Sequence, residues 1–146
     1  MLKRYTFWLT AAIVFLALNT VLHTASLFIS PPATDDTERQ LIDLLTTYKF
    51  DLGLGFHPTF GDMFTALSSC FSFVCLLAAL TLGYLMLKRV GPAIMKGILG
   101  INVLVFGGIF LVMAVFTFIL PIVLSGLIFV NLLMAFLVIP KESTLT

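Results

Sequence analysis

The chain has 146 residues, 60% of them hydrophobic and 10% charged, with a net charge of +1. Soluble domains carry about 25% charged residues, so this composition, with a mean hydropathy of +1.15, excludes a water-soluble enzyme. The chain reads as one membrane domain over residues 1–146 with no room for a separate soluble one, and no basic tract points to nucleic acid.

The first apolar segment covers about residues 5–29. Lys3 and Arg4 precede it and Thr24-Ala25-Ser26 lies near its end, as in a secretory signal. The apolar stretch is long for that role, and His23 fits poorly beside the cleavage point, so the segment is taken as a retained span with cleavage as the alternative. Tyr5 and Trp8 mark its inner boundary. Asn19 and His23, four residues apart, share a face near its outer end.

Residues 30–61 form an external segment. Ser30-Pro31-Pro32 stops the first helix. Thr34 or Asp35 can cap a new one, and Asp35-x-x-Glu38 resembles a capping box. Leu41, Ile42, Leu44, Leu45 and Tyr48 recur at helical spacing, which predicts an amphipathic helix over about 36–49. Its stripe suits a lid over the helix ends, a lipid surface or a partner. A glycine-rich return follows, Asp51-Leu52-Gly53-Leu54-Gly55-Phe56-His57-Pro58, without the Lys-Ser or Lys-Thr of a phosphate loop.

The second span covers about 62–87. Asp62, Thr65, Ser68, Ser69 and Ser72 fall within an arc of roughly 120° at about 100° per residue. They make a polar stripe in its outer half, and polar groups in lipid call for a partner or a function. With Asn19, His23, Asp51 and His57 at the same end, the stripe forms a candidate outward-facing polar pocket, in which histidine beside carboxylate could exchange protons. Helix packing by serine and threonine is the structural alternative. Cys70 and Cys75 stand about 140° apart on the helix, which suits buried apolar roles rather than a redox pair or zinc ligands. No metal ligand set and no cofactor are expected; the loop-versus-helix placement of the two histidines is poor for haem.

From Gly97 to Pro140 the chain carries no charge. Those residues as one helix would measure roughly 66 Å against a bilayer core of about 30 Å. They must therefore fold back as two spans, over about 92–116 and 121–139, turning near Thr117–Pro121. Pro92 suits a first-turn position. Ala93, Gly97, Gly100, Gly107 and Gly108 share an arc of about 100°, a smooth face that lets another backbone approach, with Ser125 and Gly126 as its counterpart. Asn102 and Asn131 lie at similar depth and could hydrogen-bond within one chain or between two. A second copy or another membrane protein is the expected partner, beside membrane lipids.

Lys3, Arg4, Lys88, Arg89, Lys96 and Lys141 all fall on one side of this arrangement. By the positive-inside rule both termini are cytoplasmic and residues 30–61 external. The expected fold is all-α: an antiparallel four-helix membrane bundle with an external amphipathic helix between its first and second spans. A bacterial inner membrane is the expected location.

The helix ending in His23-Thr24, the proline-led external helix, Phe50-Asp51, the glycine loop and Asp62-Met63-Phe64 together resemble an uncharacterised family of small bacterial four-helix membrane proteins. The resemblance covers about residues 23–72 and implies topology without an activity. His57-Pro58-Thr59-Phe60 departs from it where a basic residue and an aromatic pair would stand. The overall shape is similar to the DoxX-like proteins and to the vitamin K epoxide reductase bundle, whose cysteine pair this chain lacks. The functional expectation is a non-enzymatic accessory or ligand- or lipid-binding membrane protein. The alternatives are a membrane enzyme acting on a lipid or quinone, and a transporter or channel component.

Overall fold

The computed structural model describes residues 2–29 and 32–139. The Ser30-Pro31 stop signal and the tail with Lys141 lie outside the described residues. The helices are α1 (Leu2–Ser26), α2 (Asp36–Thr47), α3 (Phe60–Leu87), α4 (Pro92–Phe116) and α5 (Ile119–Val138). One isolated antiparallel bridge, Lys49 with Thr59, is the only β pairing among the described residues. All but α2 are long and apolar enough to cross a membrane. The fold is all-α, with a short helix between the first and second spans.

The burial pattern identifies the solvent. Only 11% of the most apolar window of α4 is buried, and Leu104, Val115 and Phe116 are each at least 71% exposed. Apolar surface of that extent is not stable against water; against lipid chains it costs nothing. The chain is a multi-pass helical membrane protein.

Contacts divide the chain into two compact units. The first takes residues 2–19 of α1, α3 from residue 75, and all of α4 and α5. Its core comes from positions three and four apart: Leu9, Ala12, Leu16 and Asn19; Cys75, Ala78, Ala79 and Leu82; Met95 and Leu99; Ser125, Ile128, Leu132 and Ala135. In lipid the neighbouring solvent is as apolar as leucine, so small residues rather than hydrophobicity mark the packed face.

Within this unit α4 and α5 form a tight hairpin. Thr117 ends α4, its backbone N–H and its Oγ1 both donating to the Met113 carbonyl, at 3.1 and 2.7 Å. Only Thr117 and Phe118 separate the helices. α5 starts two residues before Pro121, which occupies its third position, where no intrahelical N–H is required. The helices meet through glycine and phenylalanine. A methyl group added at Gly107 would stand 3.0 Å from the Phe129 ring, one at Gly126 3.1 Å from Phe110, and one at Gly100 3.4 Å from Phe136. The Phe110 and Phe129 rings stack with centroids 6.0 Å apart. Gly97 and Gly108 face open space. At Gly100 and Gly107 the close neighbour is therefore an aromatic ring rather than a helix backbone.

α3 ends in a Schellman motif. The Arg89 N–H donates to Met86 O (3.1 Å) and the Val90 N–H to Leu85 O (3.3 Å). Such a motif needs a left-handed residue, ordinarily glycine; here Arg89 takes it, at φ 52°.

The second unit holds the described residues from Thr20 to Val74. After Ser26 the chain continues in tight turns, with Leu27, Phe28 and Ile29 N–H groups donating to the carbonyls three residues back. Asp35 caps α2 through Oδ1, which accepts from the Glu38 N–H at 2.8 Å. Glu38 reaches back to Thr34, accepting from its hydroxyl and its N–H at 2.6 Å each, and these bonds hold the carboxyl below its ordinary pKa. No residue of α2 is buried, and Leu41, Leu44 and Tyr48 remain exposed. Residues 48–59 make a small hairpin, with the Phe50 N–H donating to Pro58 O at 3.0 Å. Its tip, Gly53-Leu54-Gly55, has positive φ at all three residues.

Candidate functional site

The structure distributes the sequence-predicted polar residues over several local arrangements. Asn19 belongs to the first unit, where its buried amide donates to Cys75 Sγ at 3.3 Å. Asp62 is committed to the start of α3. Its Oδ2 accepts from the Thr59 N–H (2.9 Å) and hydroxyl (2.8 Å), while Thr59 Oγ1 accepts from the Asp62 N–H (3.1 Å). This reciprocal pair is a capping box with aspartate in the glutamate position. Asp51 accepts from the Gly53 N–H at 2.9 Å and lies 3.9 Å from His57 Nδ1, with both side chains more than half exposed. Ser69 Oγ donates to the Thr65 carbonyl on its own helix (2.7 Å), and the Thr65 side chain is exposed.

The group that stays together is half-buried His23, Ser68 and Phe71 with the buried Ser72. His23 Nε2 lies 3.2 Å from the Ser68 carbonyl oxygen, and the edge of the imidazole meets Phe71 with centroids 5.1 Å apart. A carbonyl can only accept, so Nε2 carries the proton and Nδ1 is left as an acceptor in the neutral ring. The same carbonyl stands four residues before Ser72, which makes it the acceptor a helical serine ordinarily uses. His23 takes that place. Ser72 Oγ is buried with no hydrogen-bond partner among the described residues, which costs about 1–3 kcal/mol for a neutral group.

The asparagines of the packing face do not meet each other through their amides. Asn102 Nδ2 donates to Ile98 O (2.9 Å) and Asn131 Nδ2 to Leu127 O (2.7 Å), each on its own helix. Ala93 is exposed.

A cleft that the sequence did not reveal lies in the first unit. Its volume is about 510 Å³, and its lining includes Tyr5, Thr6, Leu85, Arg89, Val90 and Ile139. Residues from both ends of the sequence contribute, so periodicity along any one helix could not find it. The available signal was an arginine, instead of glycine, two residues after the end of α3.

A four-span helical membrane protein is the class that fold and burial define. Searches against family profiles, curated proteins and solved structures found no match for this chain, so no family is identified.

Proposed function

We propose that this chain is a non-enzymatic accessory or binding protein that holds a small or lipid-like ligand at the His23–Ser72 group of the second unit. The observation that carries the reading is the orphaned Ser72 hydroxyl. A helix serine with its usual acceptor occupied, buried and unpartnered, is a donor kept in reserve at a cost. The imidazole held on the Ser68 carbonyl offers an acceptor at Nδ1, so a ligand hydroxyl, which both accepts and donates, could satisfy both groups. The basic residues near the ends of α1, α3 and α4 support a topology with both termini cytoplasmic and α2 external; a bacterial inner membrane, and a second copy or another membrane protein as partner, belong to the same proposal. The reading as a lipid or quinone enzyme has less support. Asp62 serves a helix cap and Asp51 a loop turn, and no carboxylate contacts His23 among the described residues.

The test is mass spectrometry of small molecules retained by the purified full chain after incubation with a total bacterial lipid extract. A species bound by the wild type and lost from Ser72→Ala and His23→Ala, with thermal stability of Ser72→Ala unchanged or raised, supports the reading. Identical retention in all three proteins refutes it.

A further inference from the structure

We infer that the cleft of the first unit binds an anionic membrane lipid, its acyl chain against Leu85, Val90 and Ile139 and its headgroup on the Arg89 guanidinium. This site is independent of the His23–Ser72 group.

The argument begins with charge. Every aspartate and glutamate among the described residues belongs to the second unit, whereas the charged side chains described in the first are Arg4, Lys88, Arg89 and Lys96. The two lysines are turned to rings: Lys88 Nζ lies 5.7 Å from the Tyr84 centroid and Lys96 Nζ 5.4 Å from that of Phe136. Arg89 has no carboxylate partner among the described residues. It is the cation that lines the cleft, and guanidinium binds phosphate with two parallel hydrogen bonds. An anion is therefore the complementary charge.

The walls select what the anion is attached to. Apart from Tyr5, Thr6 and Arg89 the lining is apolar, including Leu85, Met86, Val90, Met95 and Ile139, and its volume lies in the range of about 300–1,000 Å³ found for small-molecule sites. An inorganic anion would leave those walls unfilled. A lipid from the adjacent leaflet fills them from the phase that already surrounds the helices. The backbone supplies a separate argument. A chain that had only to end α3 would place glycine in the left-handed position; arginine is held there against its backbone preference, as residues at binding sites often are.

The only tryptophan, Trp8, lies three residues, or about 4.5 Å along the helix axis, from Tyr5 and serves as a reporter. The full chain is placed in vesicles of phosphatidylcholine with increasing brominated phosphatidylglycerol or brominated phosphatidylcholine, and Trp8 quenching is followed. The brominated anionic lipid is expected to quench at lower mole fraction than the zwitterionic one. Arg89→Gln should weaken that preference by about tenfold or more, while Lys96→Gln leaves it. Equal quenching by both lipids, or an unaltered preference in Arg89→Gln, overturns the proposal. A wild-type competition keeps it falsifiable if Arg89→Gln does not fold. Short-chain phosphatidylglycerol should relieve the quenching, whereas relief by inorganic phosphate at equal concentration would show an anion site without a chain site.

Discussion

Arg89 offers the sharpest test of how the backbone of this protein is balanced. Its φ of 52° lies in the left-handed well, which costs an L-residue roughly 1–2 kcal/mol. Glycine removes that cost but brings back about 0.5–1 kcal/mol through greater freedom of the unfolded chain. Arg89→Gly and Arg89→Ala delete the same guanidinium and differ by one methyl group, so comparing them isolates the backbone term. Glycine should be the more stable by about 0.5–1 kcal/mol. For a chain of this size that is a rise of roughly 1–4 °C in melting temperature, measurable by tryptophan fluorescence in a neutral detergent where no anionic lipid occupies the cleft. If Arg89→Ala melts at or above Arg89→Gly, the Schellman turn is not strained and the backbone argument for the cleft fails.

Gly107→Ala should destabilise the chain by about 1–3 kcal/mol through overpacking against Phe129, whereas Gly108→Ala, which meets open space, should be neutral or gain up to about 1 kcal/mol of helix propensity; denaturation in mixed micelles separates the two. Ser72→Ala removes an orphaned hydroxyl and should leave unfolding free energy unchanged or raised by about 1 kcal/mol in ligand-free protein; a clear loss would reveal a partner for Ser72. Glu38 gives a pH signature. Its carboxyl is held low by Thr34, so the contribution of its cap is fully present above the ordinary carboxylate pKa of 4.5 and is lost as pH falls through the lowered native value. Amide protection factors in the first turn of α2 should fall over that acidic window in wild type but not in Glu38→Gln; a pH-independent protection factor in wild type would refute the cap's role.

The spans were readable because length and charge alone define them in lipid. Their ends were not, for local reasons. α1 stops at Ser26 rather than near residue 29, where its serine hydroxyl turns back to the His23 carbonyl at 2.7 Å. α2 ends at Thr47 because Lys49 is needed for the bridge to Thr59. α3 begins at Phe60 because Thr59-x-x-Asp62 is a capping box. α4 was predicted over its observed range, since Pro92 leaves little choice. The polar stripe of α3 groups residues by angle, but angle cannot tell which acceptor a hydroxyl finds. Ser69 and Ser72 lie on one stripe, yet Ser69 reaches its helix carbonyl and Ser72 loses its own to His23.

The α4–α5 seam has a palindromic logic. Each helix contributes the same short word, Gly-x-x-Phe: Gly107 with Phe110, and Gly126 with Phe129. Each ring covers the other helix's glycine. Going back seven residues from Gly107 to Gly100 goes forward seven from Phe129 to Phe136, and the contact recurs. Sliding one helix by a turn would unseat every ring together, and a two-residue connection leaves no slack for partial slippage. The hairpin thus carries its own alignment key. It can enter the bilayer as a finished piece, with its register settled before α1 and α3 are called upon to fix anything.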